Sequence, residues 1–199
     1  MLDHVFTDAI EAVRVALETA MLERQAFEER FQTDILLGDL SWVTSYSLPG
    51  EGSPPRVQAE LTLDWPTWAQ TAYRTWYVEG ELGDGPRIEI EIVFRLQRLA
   101  AAPDPRLIVS GLPTSPPRVG SEVLEGFGPT IEATYGYDLS LESHAAEVTY
   151  SGSYELDEAS LEDGSTLHKD FGAMGGWIAS ALVRFGDLPL PYLTADDGI

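Results

Sequence analysis

The hydrophobic positions at the start of the chain recur at three- and four-residue steps, from residue 3 to about residue 31. This spacing predicts a long amphipathic helix with Asp3 as its N-cap. At about 1.5 Å per residue it would be roughly 40 Å long. That length exceeds the width of a small sheet, so we expect the end of the helix to pack on a partner subunit. The apolar positions are Val5, Phe6, Ala9, Ile10, Val13, Ala16, Leu17, Ala20, Met21, Phe27 and Phe31.

The period then changes to two, which is typical of strands with one buried face. Residues 57–64 alternate, with Val57 and Leu61 inward and Glu60 and Asp64 outward. Residues 71–82 are rich in aromatic and β-branched side chains and predict another strand, and Asp84-Gly85 predicts a tight turn. Residues 88–97 form the most regular strand, in which Ile88 and Ile90 alternate with Glu89 and Glu91 on the opposite side. Short connections between these runs predict an antiparallel β-meander.

The middle of the chain is rich in proline. Residues 101–117 contain Pro103, Pro105, Pro113, Pro116 and Pro117. Because proline removes donors from a β-ladder, we expect an irregular connector there, with at most a short strand over residues 107–109. Further strands are predicted within residues 118–137 and 144–156. The second part has too few strands for a core of its own, so the prediction is one domain over residues 1–199.

A helix is predicted from about Thr166 to Phe185, capped by Ser165 or Thr166, with Gly186 just past its end. A loose tail follows over residues 194–199. The fold class is therefore α+β: an antiparallel meander packed against the long N-terminal helix and this C-terminal helix. The helix has one apolar stripe. It consists of Leu167, Phe171, Met174, Ile178, Leu182 and Phe185.

Three glycines stand inside the C-terminal helix. Gly172, Gly175 and Gly176 each destabilise a helix by about 1 kcal/mol relative to alanine, and close approach of another backbone usually offsets that cost. Together with the over-long first helix, they predict a homodimer whose interface contains these glycines.

Charge is the most extreme property of the composition. The chain has 33 acidic residues against 12 basic ones, a net charge of −21, and Lys169 is its only lysine. Such a charge repels nucleic-acid backbones and anionic membranes and attracts basic partners. An acidic surface that only keeps the protein in solution is the alternative. There is no cysteine, no signal-peptide pattern and no apolar run of membrane-spanning length, so we expect a cytoplasmic protein.

No set of catalytic residues can be assembled from the sequence. The P-loop and the nucleophile elbow are both absent. His4, His144 and His168 lack the spacing of a metal pair. His168 with Asp163 and Asp170 nearby fits a general base, but also a polar first helical turn. The acidic run over residues 155–163 lacks EF-hand spacing. We therefore expect no enzymatic activity, no cofactor and no bound metal.

Two groups of residues are candidates for binding a partner protein. Trp65, Trp68 and Trp76 crowd one predicted hairpin and are suited to anchor a protein, whereas Tyr73 and Tyr77 are expected to fill the core. The other group is the densest acidic cluster of the chain, which we expect on the surface, where it docks a basic protein. It consists of Glu155, Asp157, Glu158, Glu162 and Asp163.

The order of a long helix, antiparallel strands, an acidic loop and a small-residue helix, at a pI of about 4.2, resembles the type III secretion chaperone fold and the YbjN-like proteins. The resemblance covers residues 3–99 and 144–185, and no motif matches residue by residue. It implies a homodimeric, non-catalytic binding protein. The function predicted is a protein-binding adaptor or chaperone-like protein with a basic, even nucleic-acid-binding, partner. The alternative is a helix-grip carrier of a small apolar ligand in a pocket lined by Ile90, Phe94, Met174 and Ile178.

Overall fold

A computed structural model describes residues 3–21, 28–36, 39–48, 54–80, 85–135, 142–157 and 164–193. Within them the architecture is α+β, as predicted. The helices are α1 (Asp3–Met21), α2 (Thr67–Glu79), α3 (Pro105–Gly111) and α4 (Gly164–Gly186). The strands are β1 (Glu28–Leu36), β2 (Asp39–Ser47), β3 (Val57–Trp65), β4 (Arg87–Leu99), β5 (Arg118–Val119), β6 (Glu122–Val123), β7 (Glu125–Tyr135) and β8 (Glu142–Glu155).

The main sheet has six strands in the order β1-β2-β3-β4-β8-β7, and every neighbouring pair is antiparallel. Strands β5 and β6 form a separate two-stranded pair. The predicted alternation in residues 57–64 and 88–97 is confirmed. Leu61 of β3 stands opposite Ile92 of β4, which in turn stands opposite Tyr150 of β8. All three are buried, so one face of the central strands belongs to the core.

Helices α1 and α4 cover this core face. The predicted apolar stripe of α4 is confirmed, since each of its six side chains is fully buried. Phe185 contacts the ring of Phe94 on β4, and Phe171 contacts the ring of Tyr154 on β8. Helix α1 packs against α4 and buries Ala9 and Val13 completely.

The first helix is shorter than predicted. It ends at Met21, so its 19 residues span roughly 28 Å rather than 40 Å. Phe31 belongs to β1, where it stands opposite Thr44 of β2, and Phe27 lies outside the described residues. Strand pairing with β2 therefore overrides the helical spacing at the end of that run. Because residues 28–36 form a strand, α1 does not extend over the predicted range 3–31, whose length was the reason to expect a partner subunit.

The strand predicted over residues 71–82 is wrong, because residues 67–79 form helix α2. Pro66 precedes the helix, and Gly80 ends it in a left-handed conformation with φ of 72°. Ala69 and Tyr73, one turn apart, are both buried, so tertiary packing selects the helical period over the strand propensity of this segment. Residues 81 and 82 and the first residue of the predicted Asp84-Gly85 turn lie outside the described residues.

The proline-rich connector contains a short helix instead of a strand. Asp104 accepts a hydrogen bond from the backbone N–H of Arg106, and Pro105 takes the first helical position of α3. Proline is favoured there, because its missing N–H would have no partner within the helix. Arg184 of α4 holds the other end of α3 by donating from Nε to the carbonyl oxygen of Gly111, at 2.9 Å.

The ends of α4 also differ slightly from the prediction. The helix begins at Gly164, so Ser165 and Thr166 lie inside its first turn instead of capping it, and Gly186 is its last residue. Residues 194–199, predicted to form a loose tail, lie outside the described residues.

The glycines of α4 make their close approach within the chain. A Cβ atom on Gly175 would lie 3.0 Å from both the carbonyl oxygen of Val13 and the Cβ of Ala16 on α1. At Gly172 the nearest atom would be the Cβ of Ala16, at 3.9 Å, and at Gly176 nothing lies within 4 Å. The contact that was assigned to a dimer interface is therefore, at Gly172 and Gly175, the contact between α4 and α1.

Candidate docking face

The second face of the sheet is turned away from α1 and α4, and helix α2 borders it where Trp68 lies against Arg87. It presents the outward positions of the central strands β3, β4 and β8. Carboxylates predominate on it. They are Glu60, Asp64, Glu89, Glu91, Glu147 and Glu155, against the two arginines Arg87 and Arg95. We call this surface the open sheet face.

A groove of about 410 Å³ lies in the open sheet face. The sequence Ser151-Gly152-Ser153 of β8 produces it, because its two outward side chains are short, whereas those of Glu89 and Glu91 on the neighbouring strand are long. The register places Asp64, Glu89 and Ser153 in one row across the sheet, and Thr62, Glu91 and Ser151 in the next. The groove is lined by Thr62, Asp64, Glu89, Ile90, Glu91, Ser151, Gly152 and Ser153.

The two arginines of the open sheet face already have partners. Arg95 forms an ion pair with Glu147. Nε of Arg87 lies 3.8 Å from Oε1 of Glu89. The guanidinium carbon of Arg87 lies 4.9 Å from the centre of the Trp68 ring. Asp64 and Glu91, by contrast, form no ion pair or side-chain hydrogen bond with any part of the chain that the structure describes. Within the described residues, the negative charge of Asp64 and Glu91 in the groove is therefore not paired with a cation.

The three candidate tryptophans do not form one surface. Trp65 is only 1 % exposed and packs its ring edge-on against Phe6 and Tyr73, so its prediction as a partner-binding residue is wrong. Trp76 is half-buried against the ring of Tyr73, as part of the core margin. Trp68 is 43 % exposed, and of the three it alone presents a large apolar surface to solvent. The hairpin that was expected to group them is a strand followed by a helix.

The predicted acidic cluster is described in part. Glu155 and Asp157 are both exposed, as expected, whereas Glu158, Glu162 and Asp163 lie outside the described residues. Glu155 stands opposite Arg87 in the register of β4 and β8. Glu155 therefore lies at the edge of the open sheet face and belongs to the same negative surface.

Asp39, outside the open sheet face, has a structural role. Its Oδ1 accepts hydrogen bonds from the hydroxyl of Thr67, at 2.7 Å, and from the backbone N–H of Thr67, at 2.6 Å. These bonds favour the ionised form, so they lower the pKa of Asp39 from its ordinary value. Asp39 thereby joins the start of β2 to the start of α2.

The other candidate chemistry is not assembled in the described residues. His168 is exposed, and Asp170 accepts a hydrogen bond from the Tyr154 hydroxyl at 2.9 Å, which docks α4 on β8. In the described ranges no three His, Asp or Glu side chains are grouped as metal ligands. Ile90, Phe94, Met174 and Ile178, the expected lining of a carrier pocket, are packed in the core, and of these four only Ile90 reaches the groove.

The alternating hydrophobic pattern predicts the outward position of most of the polar side chains that line the groove. The alternation predicts outward positions for Thr62, Asp64, Glu89 and Glu91, but no sequence pattern indicates that β8 is the neighbour of β4. Without that pairing, the Ser-Gly-Ser segment could not be placed beside the carboxylates.

Comparison with family models, with curated proteins and with solved structures finds no match for this chain. Among the described helices, none combines the length and the apolar character needed to cross a membrane.

Proposed function

We propose that this chain is a non-enzymatic, cytoplasmic adaptor or chaperone-like protein that docks a basic partner protein. The observation that carries the proposal is the open sheet face, on which carboxylates outnumber arginines and both arginines are already engaged. Glu155 of the acidic cluster is part of this surface, and Asp157 of the same cluster is also exposed. A basic protein is the partner that such a surface attracts, and the resemblance to type III secretion chaperones and YbjN-like proteins points to the same class.

The same charge disfavours other macromolecules. Nucleic acid and anionic lipid would bring further negative charge against a chain of net charge −21. A nucleic-acid-binding protein is still a suitable partner, provided that its basic surface contacts this chain instead of its nucleic acid. Self-association as a homodimer belongs to the proposal and is tested separately, by light scattering at micromolar concentration.

The test is the salt dependence of association. The partner is isolated from a lysate of the source, identified and purified, and its association rate is measured as salt is raised. Because the Debye length falls from about 30 Å at 0.01 M to about 3 Å at 1 M salt, the rate should fall steeply. Neutralising the acidic cluster (E155Q, D157N, E158Q, E162Q and D163N) should flatten this dependence.

Two results contradict the proposal. An association rate that does not change with salt indicates an apolar interface, for which the exposed side of Trp68 is the starting point. Binding to a bare oligonucleotide at physiological salt indicates that the negative charge of the chain does not govern its choice of partner.

A further inference from the structure

We infer that the groove in the open sheet face binds an extended segment of the partner protein with arginine or lysine at alternate positions. The inference rests on the proposed function and specifies its site. Carboxylates of two adjacent strands line the groove: Asp64 on β3, and Glu89 and Glu91 on β4. The short side chains of Ser151 and Ser153 on β8 line it as well.

Spacing supports an extended occupant. Glu89 and Glu91 project from the same side of β4, two residues apart, which separates them by roughly 7 Å along the strand. An extended peptide presents its alternate side chains at the same interval. Two cationic side chains separated by one residue would therefore each meet one carboxylate, while the short Ser151 and Ser153 leave room for the peptide backbone.

The charge state of the groove supports a cationic occupant. Asp64 and Glu91 lack a partner within the described chain, and Glu89 has only Arg87, at 3.8 Å. A guanidinium can form paired hydrogen bonds with a carboxylate, and such charge-assisted bonds are stronger than neutral ones. Thr62 and the two serines add hydroxyl groups that accept hydrogen bonds from arginine or lysine.

Other occupants fit the groove less well. A second copy would place the same carboxylates opposite one another, and like charges repel. The final residues of this chain, 194–199, contain Asp196 and Asp197 and no cation. A basic segment of a different protein is the occupant whose charge and repeat distance both match.

The experiment uses the full chain and a labelled peptide in which arginine alternates with serine. Fluorescence anisotropy gives its affinity at low and at physiological salt, beside a peptide in which glutamine replaces each arginine. E89Q/E91Q should weaken binding of the arginine peptide by about tenfold or more, since a hydrogen bond to a charged group typically contributes that much. The matched control is E11Q/E18Q, which removes the same charge from exposed positions of α1.

A second variant separates shape from charge. S151F leaves every carboxylate in place but puts a large side chain on the floor of the groove. S151F should weaken binding of the arginine peptide as strongly as E89Q/E91Q does. The fold should tolerate the change, because phenylalanine suits an outward strand position. Circular dichroism confirms that each variant is folded. If S151F does not fold, the comparison of E89Q/E91Q with E11Q/E18Q still decides the question.

Four results overturn the inference. Equal weakening by E89Q/E91Q and E11Q/E18Q shows that only net charge matters. Binding of the glutamine peptide as tight as that of the arginine peptide shows that the groove does not select cations. A change of oligomeric mass on E89Q/E91Q shows that the face joins two copies. If the true partner still associates in a salt-dependent way that E89Q/E91Q leaves unchanged, the proposed function stands and the groove is the wrong site.

Discussion

Alanine substitutions at Gly175 and Gly176 test the packing of α4 against α1. The two positions are adjacent in one helix, so the gain in helix propensity on replacing glycine by alanine, about 1 kcal/mol, is common to both. Their surroundings differ. A Cβ on Gly175 would lie 3.0 Å from the Val13 carbonyl oxygen and from the Cβ of Ala16, whereas a Cβ on Gly176 would meet nothing within 4 Å. The difference between the two variants therefore isolates the steric cost.

That cost follows from what would have to move. At 3.0 Å from a backbone oxygen, relief requires α1 and α4 to separate, because no side-chain rotation removes a backbone atom. Overpacking of this kind costs about 1–3 kcal/mol. G176A should be more stable than the wild type by about 1 kcal/mol, and G175A less stable than G176A by about 1–3 kcal/mol. G172A, whose nearest neighbours would lie at ordinary contact distances, should behave like G176A.

Urea unfolding followed by circular dichroism measures the free energies of unfolding, and thermal unfolding checks them. For a chain of this size, 1 kcal/mol corresponds to about 2–4 °C in Tm. Equal stability of G175A and G176A would refute the intramolecular packing of α4 on α1. If G176A loses stability in a way that depends on protein concentration, Gly176 lies at an interface between subunits.

Three further outcomes are expected. Hydrogen bonds from Thr67 lower the pKa of Asp39, so ionised Asp39 stabilises the fold above its unfolded-state pKa, and this stabilisation is lost as pH falls through its folded-state pKa. The urea midpoints of D39A and the wild type should therefore differ at neutral pH and converge at pH values well below about 4. R184M should lower the free energy of unfolding by about 1 kcal/mol, measured in urea, since the Gly111 carbonyl loses its donor, and R184K should retain part of it. T44V should raise Tm, because Thr44 is 1 % exposed and its hydroxyl has no hydrogen-bond partner among the described residues. A lower Tm would mean that the hydroxyl is hydrogen-bonded.

The elements predicted correctly are those in which one side of the chain is buried throughout. In β4 every second residue from Ile88 to Leu96 is buried, so burial alone imposes the period of two. Along α4 each residue of the stripe is buried in the core, so burial imposes a period near 3.6. In both elements the local pattern and the tertiary packing agree.

The wrong assignments fall where local preference and tertiary packing disagree. The segment around Tyr73 is rich in residues that favour strands, yet it is a helix because Ala69 and Tyr73 must face the core together. Phe31 continues a helical spacing, but the chain gains a full ladder of hydrogen bonds by pairing β1 with β2. Such choices depend on partners distant in sequence, which a local window does not contain.

The candidate site was predictable in its composition but not in its assembly. The alternation gives Glu89 and Glu91 their outward positions from the sequence alone. The groove arises only because β8 pairs with β4 after more than forty intervening residues, which brings Ser151 and Ser153 beside them. Trp65 is the converse case, because a large aromatic side chain suits an interface and a core equally well, and only the fold places it under α1 and α2.

The contact between α1 and α4 joins segments near opposite ends of the sequence, with the entire sheet between them. During synthesis, α1 is complete long before α4 exists, so its apolar stripe is without its final neighbour while the strands are being made. The strand pairings are also long-range, and folds dominated by distant contacts form slowly and expose apolar surface on the way. The apolar stripe of α1 therefore stays without its neighbour until α4 has been synthesised.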